Sequence, residues 1–319
     1  MPFAADSWFN ALDQSPRLAT LLRLNCRFLL TFCMVAPLAA QVPLRNAAHW
    51  IHGVPTGTAC TEPLQVHEAG PGTFILRENK CVNFEAPFLY LILGETQALL
   101  LDSGAKPAVG VAFPLVETVG RLIRDWEAQR PGRKLRLLVA HTHGHRDHRF
   151  LDDAFRARAD TSVVGYSADA VKDFFRFTHW PEGEAQLDLG GRVVTVLPLP
   201  GHEVAHVAFY DARSGTLFSG DTLYPGLLTV RDWPAYRRSV ERLVKFAATH
   251  PVTAILGAHI EMTRRPREMY PLGTADQPEE HTLFLGLVQL RELHAALEAQ
   301  GDTAARLVRD DFIVELVAP

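Results

Sequence analysis

The chain has 319 residues, a formal net charge of -4 and a hydrophobic content of 47%. This composition is that of a globular protein with enough residues for one large domain or two small ones. Basic and acidic residues are interleaved, so there is no Lys/Arg patch of the kind that neutralises nucleic-acid phosphates. We therefore expect a small-molecule substrate and no stable nucleic-acid partner, while the oligomeric state stays open.

Residues 1–40 differ from the rest of the chain. Three arginines precede an apolar run, FLLTFCMVAPLAA at residues 28–40, which ends in small residues. A basic stretch, a short apolar stretch and a small-residue exit together predict a secretory signal that is cleaved after Ala40. The uncharged run over 28–44 holds two prolines and is shorter than the about 20 residues of a membrane-spanning helix. We expect an exported, periplasmic or secreted protein without a stable membrane span; an uncleaved anchor and a packed N-terminal helix are the alternatives.

Cysteine usage is consistent with export. Cys26 and Cys33 would leave with the signal, and the remaining chain would keep only Cys60 and Cys81. In an oxidising compartment such a pair can close a disulfide and stabilise the fold by about 2 to 4 kcal/mol. Two buried free thiols are the alternative.

From residue 73 onward, short apolar runs alternate with amphipathic stretches. Strands are predicted at TFILRE (73–78), PFLYLILG (87–94), ALLLD (98–102), LRLLVA (135–140), SVVGY (162–166), RVVTVLP (192–198), HVAFYD (206–211), TLFSG (216–220), TAILG (253–257) and the closing FIVELV. Helical spacing predicts three helices, marked by Leu115 to Trp126, by Val240, Leu243, Val244 and Ala247, and by Leu283, Leu287, Leu290 and Leu297. Alternating strands and helices imply sheets covered by helices. The turn-rich segment 266–277 is predicted as a flap or linker.

A cluster of histidines follows the strand LRLLVA directly, in the stretch AHTHGHRDHRF. Residues two apart in an extended chain point to the same side, so His143 and His145 can face one metal ion. Asp147 and His148 come next and can face a second ion beside the first. Imidazole and carboxylate are ligands that zinc accepts, and open catalytic zinc sites typically use three of them. Each ion therefore needs a further ligand from elsewhere in the chain.

Three later segments each offer one such ligand at the end of a predicted strand. His202 follows RVVTVLP, Asp221 follows TLFSG and His259 follows TAILG. Loops at strand ends are the part of an α/β framework that is free to carry chemistry. We expect these three side chains to gather at one edge beside the histidine cluster.

These motifs, together with Asp102 in LLLDSG, resemble the metallo-β-lactamase superfamily over roughly residues 70–262. The resemblance implies an α/β fold, a four-layer αββα sandwich with a two-metal site on one edge of its sheets. The resemblance implies that His143, His145 and His202 bind the first ion, that Asp147, His148 and His259 bind the second, and that Asp221 bridges both. The domain organisation that follows is a signal at 1–40, an N-terminal extension at 41–72, the catalytic domain at 73–265 and a C-terminal loop, helix and strand at 266–319 that pack on the same domain.

Three further residues of this region are candidates for roles behind the ligands or toward the substrate. Asp102 matches the structural aspartate of the family, which can orient a ligand through a hydrogen bond. His141 has no counterpart among the family's ligands and is either such a supporting residue or an ordinary strand-end histidine. His206, four residues after His202, resembles a second histidine in the glyoxalase II segment.

The resemblance implies a dinuclear zinc hydrolase, with iron or manganese as alternative metals and with Asp147 and Asp221 as catalytic carboxylates. A metal-bridging hydroxide would act on an ester, thioester, lactone, phosphoester or amide-type substrate. Asp221 resembles the bridging residue of thioesterase, lactonase and phosphodiesterase members, whereas class B β-lactamases usually carry Cys or Ser there. Arg149 and Phe150 depart from the small residues usual after His148, which puts the transfer of any one family substrate in doubt. A mononuclear-iron persulfide dioxygenase, a β-lactamase and a non-catalytic metal-binding module are the alternatives.

Overall fold

A computed structural model of the chain describes residues 41–47 and 49–318. The predicted signal and its cleavage point lie outside the described residues. Within the described ranges, no helix combines the length and the apolarity that crossing a membrane requires.

Three sheets contain the strands. The first runs in the order β1 to β6 and consists of β1 (Leu64–Gly70), β2 (Thr73–Glu78), β3 (Phe88–Leu93), β4 (Gln97–Leu101), β5 (Arg136–Ala140) and β6 (Thr161–Val163). The second has the order β13-β12-β10-β9-β8-β7 and consists of β7 (Ala185–Asp188), β8 (Val193–Pro198), β9 (Val207–Asp211), β10 (Thr216–Gly220), β12 (Ala254–Gly257) and β13 (Phe284–Leu285). A small third sheet, in the order β11-β15-β14, joins β11 (Leu227–Val230), β14 (Leu307–Val308) and β15 (Ile313–Leu316).

Six helices complete the described part of the chain. They are α1 (Leu115–Ala128), α2 (Arg146–Arg149), α3 (Asp152–Arg156), α4 (Ala168–Phe175), α5 (Trp233–Thr249) and α6 (Leu287–Gln300). Trp233 and Tyr236 lie in the first turn of α5 and are buried.

The side chains of β3 show how the layers form. Every residue of β3 is buried, and alternate residues belong to different cores because successive side chains of a strand point to opposite faces. Phe88, Tyr90 and Ile92 pack between the two large sheets against residues of β8, β9 and β10. Leu89 and Leu91 pack on the outer face against α1. A strand buried on both faces accounts for the continuous apolar run FLYLIL.

The second large sheet has the same arrangement on its own outer face. Its outward side chains, which include Leu217 and Ile255, pack against Val240 and Leu243 of α5 and Leu290 of α6. The layers are therefore helix, sheet, sheet and helix, and the predicted αββα sandwich is confirmed. The third predicted helix was marked from Leu283, but α6 begins at Leu287. Leu283 is apolar and in helical register with the later leucines, so the prediction began the helix too early.

The predicted boundary at residue 73 falls inside a β-hairpin. β1 pairs antiparallel with β2, so residues 64–70 form the edge strand of the first sheet instead of a separate extension. The sequence LQVHEAG gave no strand prediction because apolar and polar residues are mixed in it and most of its positions are only partly buried or exposed, as is common for an edge strand. Segment 266–277, predicted as a flap or linker, is pinned to the rest of the fold by single β-bridges from Met269 to Met262 and from Asp276 to Gly53.

The disulfide between Cys60 and Cys81 is present in the structure, with the two Cα atoms 5.6 Å apart. It joins the segment before β1 to the loop between β2 and β3. The short elements α2, α3, α4, β7 and β11 were not predicted, because pieces of four to eight residues show too little periodicity to be recognised.

Candidate metal centre

The predicted ligands all follow strands that end at the same edge of the sandwich. The histidine cluster follows β5, His202 follows β8, Asp221 follows β10 and His259 follows β12. β10 and β12 are parallel, so the residues after them leave the sheet side by side. His145 is the N-cap residue of α2, which turns the chain so that Asp147 and His148 face back toward the strands.

Two glycines of the motifs are required by close packing. A Cβ on Gly220, which has φ +51°, would lie 2.7 Å from Thr142 Cβ and 2.8 Å from His206 Nε2. A Cβ on Gly257 would lie 2.3 Å from Tyr224 Cβ. Only glycine lets these two strand ends approach the neighbouring segments this closely.

The first ligand set consists of three imidazole nitrogens. His143 Nε2 lies 2.8 Å from His145 Nδ1, and His202 Nε2 lies 3.2 Å from the first and 3.0 Å from the second. Three nitrogens this close together cannot all carry a proton, because the protons would collide. At least some of them therefore direct lone pairs toward the centre of the group. A metal ion at that centre would be bound by all three.

The second ligand set lies beside the first. Asp147 Oδ2 is 3.0 Å from His148 Nε2 and 3.4 Å from His259 Nε2. His148 Nε2 is buried, and its contact with Asp147 Oδ2 lacks the geometry of a hydrogen bond. These three atoms form the second group with the spacing of metal ligands.

Asp221 lies between the two sets, with one oxygen turned toward each. Its Oδ2 atom is 3.8 Å from His143 Nε2 and 3.5 Å from His202 Nε2. Its Oδ1 atom is 3.7 Å from His148 Nε2 and 3.6 Å from His259 Nε2. Oδ1 is buried and lacks a hydrogen-bond partner in the described part of the chain. A carboxylate in this position can bind two ions at once.

The other ring nitrogens of the ligands are held by acceptors behind the site. His148 Nδ1 donates to Asp102 Oδ2 at 2.9 Å, His202 Nδ1 to the Thr229 carbonyl at 2.7 Å and His259 Nδ1 to the Glu85 carbonyl at 3.0 Å. Each bond places the ring proton on Nδ1 and so leaves the Nε2 lone pair free for a metal.

Asp102 also fixes the loop that carries the ligands. Its Oδ1 atom accepts the Thr142 backbone N–H at 2.8 Å, and its Oδ2 atom accepts the Thr142 hydroxyl at 3.0 Å. The structure thus places the aspartate behind the ligands, as the resemblance implied. Thr142 was not recognised from the sequence, although its place between two histidines could have drawn attention to it.

His141 and His206 lie away from the two sets of converging atoms. His141 Nε2 is 2.8 Å from Asp152 Oδ1, which also accepts the Ser103 hydroxyl, and the ring is buried. His206 Nε2 accepts the Asp221 backbone N–H at 3.1 Å. Both histidines therefore support ligand-bearing segments from behind, and neither is exposed to a substrate.

Arg149 and Phe150, which depart from the family pattern, differ in their contacts. The Arg149 Nε atom donates to the Gly144 carbonyl at 2.7 Å, and its guanidinium lies 3.8 Å above the Tyr166 ring. Arg149 thus braces the histidine loop, while Phe150 is exposed. The bulky pair does not fill the space between the ligand sets.

The first set is electrically suited to a cation. Burial and the neighbouring His148 hold the pKa of His143 well below its usual range. Burial and His202 lower the pKa of His145 to about 4, and burial also lowers the pKa of His202. These three side chains are neutral at neutral pH, which is the form that binds metals.

The second set concentrates negative charge. Although burial opposes ionisation, His148 and His259 hold the pKa values of Asp147 and Asp221 well below their usual range. Burial also opposes protonation of His259, yet Asp221 and Asp147 raise its pKa to about 9. One buried and one partly buried carboxylate, Asp221 and Asp147, thus need positive charge beside them. A divalent cation would supply that charge and leave the histidines neutral, so the donor set fits a metal centre.

This sandwich, with two sets of histidine and aspartate ligands at one edge, defines a metal-dependent hydrolase fold. Residues 82–259 match the sequence model of the metallo-beta-lactamase superfamily. The chain belongs to this superfamily.

Named relatives are hydrolases. The hydroxyacylglutathione hydrolase of Methylobacillus flagellatus is 31% identical over 222 residues, which cover 68% of this chain and 76% of that protein. The human acyl-coenzyme A thioesterase MBLAC2 is 25% identical over 226 residues, which cover 60% of this chain and 78% of that protein. A crystal structure of a metallo-β-lactamase from Erythrobacter litoralis has the same fold, with a TM-score of 0.50 and 14% identity over 76% of this chain and 99% of that one.

Proposed function

We propose that this enzyme is a dinuclear zinc hydrolase that cleaves activated acyl compounds, with thioesters as the first substrate class to examine. The observation that carries the proposal is the position of Asp221, which turns one carboxylate oxygen toward each ligand set. A site built for a single ion would not need a buried carboxylate shared between two sets of three ligands.

Zinc bound at the two sets would supply Lewis acidity and a hydroxide at neutral pH, because it lowers the pKa of bound water to about 7. The role of the chain is to hold these groups in a fixed geometry. Asp102, Thr229 and Glu85 orient three of the imidazole rings through the bonds described above. The two carboxylates reduce the positive charge of the site without cancelling it, which favours an anionic species formed during acyl transfer.

Asp147 is the more accessible of the two carboxylates. Its side chain is 20% exposed, whereas that of Asp221 is 8% exposed. Asp147 is therefore the residue that we assign to proton transfer with substrate or water, in addition to its role as a ligand. Asp221 serves as the bridging ligand.

Two observations support an acyl substrate over a β-lactam. The bridging position carries Asp221, which resembles thioesterase and lactonase members of the superfamily. The two relatives named above are a hydrolase of a hydroxyacylglutathione and an acyl-coenzyme A thioesterase, and both names describe acyl substrates. Iron and manganese remain alternative metals for the same ligands, and zinc is the ion that we propose on the basis of the imidazole-rich donor set.

The test is metal content and turnover of the full chain, purified without added metal and then loaded with zinc. Its hydrolysis of an acyl thioester, a lactone, a phosphodiester and a cephalosporin is measured in parallel with that of the Asp221→Ala variant. We expect two zinc ions per chain, with the thioester or the lactone turned over fastest. The variant should lose metal from at least one set and lose at least about a hundredfold in kcat/KM.

Other outcomes separate the alternatives. One iron per chain with oxygen consumption on a persulfide would identify the dioxygenase, and dominant turnover of the cephalosporin would identify a β-lactamase. An absence of turnover with all four substrates would support the non-catalytic metal-binding module. Normal zinc content and turnover in Asp221→Ala would overturn the bridging role.

We also propose that the protein is exported. The disulfide between Cys60 and Cys81 supports this, since such bonds persist mainly in oxidising compartments. Expression of the full chain in a Gram-negative bacterium followed by cell fractionation tests it. We expect a periplasmic product whose N-terminus is Gln41, and a cytoplasmic product of full length would contradict export.

A further inference from the structure

A small cleft of about 130 Å³ lies between the loop that precedes β3 and the segment that follows His259 in the chain. One wall is the loop at residues 79–87 between β2 and β3. The other wall is the segment at residues 269–273, which follows the last metal ligand in the chain. Neither wall contains a residue of the two ligand sets.

Both walls are attached to the metal centre through His259. The Glu85 carbonyl in the first wall accepts the His259 Nδ1 hydrogen bond at 3.0 Å. Glu261, which lines the cleft, lies two residues after His259, and its backbone carbonyl accepts the Tyr270 N–H at 2.9 Å in the second wall. The cleft therefore adjoins residues that hold His259 from behind, and two of its lining residues, Glu85 and Glu261, lie near the charges of His259 and Asp221.

The surface of the cleft is mainly apolar. Its apolar lining residues are Phe84, Leu227, Met269, Tyr270, Pro271 and Leu272. Phe84 and Leu272 are 44% and 85% exposed and belong to opposite walls. Large apolar side chains exposed on both sides of a concave surface are typical of a ligand-binding region.

Two polar groups that line the cleft already have partners within the protein. Lys80 Nζ donates to the Phe84 carbonyl at 3.4 Å and lies 3.9 Å from Glu280 Oε1. Glu261 Oε2 accepts the Leu227 backbone N–H at 2.7 Å. A ligand entering the cleft therefore meets mainly apolar surface, together with the polar side chains of Glu85 and Gln277.

The two walls are also held in place before any ligand binds. The disulfide at Cys81 ties the first wall to the segment before β1. In the second wall, Met269 forms a β-bridge with Met262, and the Tyr270 hydroxyl accepts the Glu279 N–H at 2.8 Å. A cleft with fixed walls binds its ligand with less loss of entropy than one that must form on binding.

We propose that this cleft is a subsite for a short, neutral, apolar acyl group of the substrate whose scissile bond lies at the two ligand sets. Its volume is below the about 300 to 1,000 Å³ of pockets that hold a whole drug-sized ligand, so it accommodates part of a substrate. Phe84 and Leu272 are then the residues that set the preference for acyl length. The inference rests on the proposed acyl hydrolase function.

The first test compares acetyl and hexanoyl thioesters of the same thiol as substrates of the zinc-loaded full chain. The double variant Phe84→Ala/Leu272→Ala removes both exposed side chains. We expect the ratio of kcat/KM for hexanoyl to acetyl to fall about tenfold, because contacts in an apolar pocket discriminate by about this factor or more. The matched control is Phe174→Ala/Val288→Ala, since Phe174 is also 44% exposed and Val288 is 71% exposed outside the cleft. The control should keep the wild-type ratio.

The second test measures binding without turnover. Hexanamide and acetamide are titrated into the full chain, and their dissociation constants are determined by ligand-observed NMR. We expect hexanamide to bind more tightly to the wild type and to the control, and to lose about tenfold in affinity in the cleft variant.

The two tests separate the subsite from the function. Equal hexanamide affinity in the cleft variant and the control would overturn the subsite, whatever the enzyme hydrolyses. Binding that depends on Phe84 and Leu272 in a protein that hydrolyses no acyl compound would support the subsite and overturn the proposed function.

Discussion

Asn in place of Asp102 tests how the chain positions its ligands. Asp102 is 1% exposed and its backbone has φ 66°, a left-handed conformation that Asn adopts more readily than most residues. The Asp102→Asn substitution therefore leaves the backbone unstrained and changes only the side chain. The carboxylate accepts hydrogen bonds from the Thr142 N–H, the Thr142 hydroxyl and His148 Nδ1. The amide has one oxygen, so its NH₂ group must face a donor on one side.

The expected effects follow from that single donor–donor contact. A buried donor that loses its acceptor costs about 1 to 3 kcal/mol, so the free energy of unfolding should fall by this amount. Since His148 loses the partner that fixes its proton on Nδ1, zinc affinity at the second set should fall by about 10- to 100-fold. The assays are urea unfolding and competition for zinc with a chromogenic chelator.

A second buried aspartate provides the control. Asp211 is 0% exposed at the far end of β9 and binds Arg192 at 2.6 Å. Asp211→Asn should lower stability by a similar or larger amount because it weakens a buried ion pair, yet it should leave zinc affinity unchanged. The reasoning is refuted if Asp102→Asn binds zinc as the wild type does, or if Asp211→Asn loses as much zinc affinity as Asp102→Asn.

Three further predictions concern the stability of the walls and strands around the site. Burial lowers the pKa of Lys80 to about 8 in the folded protein, whereas the unfolded chain keeps its ordinary value of 10.5. The buried charge therefore destabilises the fold below pH 8, and this destabilisation is lost as the pH rises from 8 toward 10.5. From pH 7 to pH 10 the free energy of unfolding of the wild type should rise by about 2 kcal/mol relative to that of Lys80→Met in urea unfolding, and an unchanged difference would refute the assignment. Replacing Cys60 and Cys81 together with Ser should lower the free energy of unfolding by about 3 kcal/mol, given the 21-residue separation, with unfolding of the reduced wild type as the comparison. Gly257→Ala should unfold at markedly lower urea concentration because its Cβ would lie 2.3 Å from Tyr224 Cβ, and wild-type stability would contradict the close packing.

The convergence of the candidate ligands at one edge could be predicted from the sequence for a physical reason. His202, Asp221 and His259 each follow a short apolar run, and such runs are the strands of an α/β fold that are easiest to recognise in a sequence. Because the chain leaves these strands at one edge, residues far apart in sequence converge there. The gathering of the seven predicted side chains is therefore visible in the order of motifs alone.

Other parts of the site carry no signal in the sequence. The acceptors for His202 and His259 are the backbone carbonyls of Thr229 and Glu85, and any residue type offers the same carbonyl. The sequence left open whether His141 is a supporting residue or an ordinary strand-end histidine, and only the position of Asp152 shows what its ring contacts. The edge strand β1 was also missed. It is held by backbone pairing with β2, and such pairing leaves no apolar pattern in the sequence.

Anomalous scattering at the zinc edge from crystals of the zinc-loaded full chain tests the two-ion site most directly. We expect two peaks about 3.5 to 4 Å apart. One should lie among His143, His145 and His202, the other among Asp147, His148 and His259, with Asp221 contacting both. A single peak, or two peaks with Asp221 bound to neither or to only one, would contradict the bridged dinuclear centre.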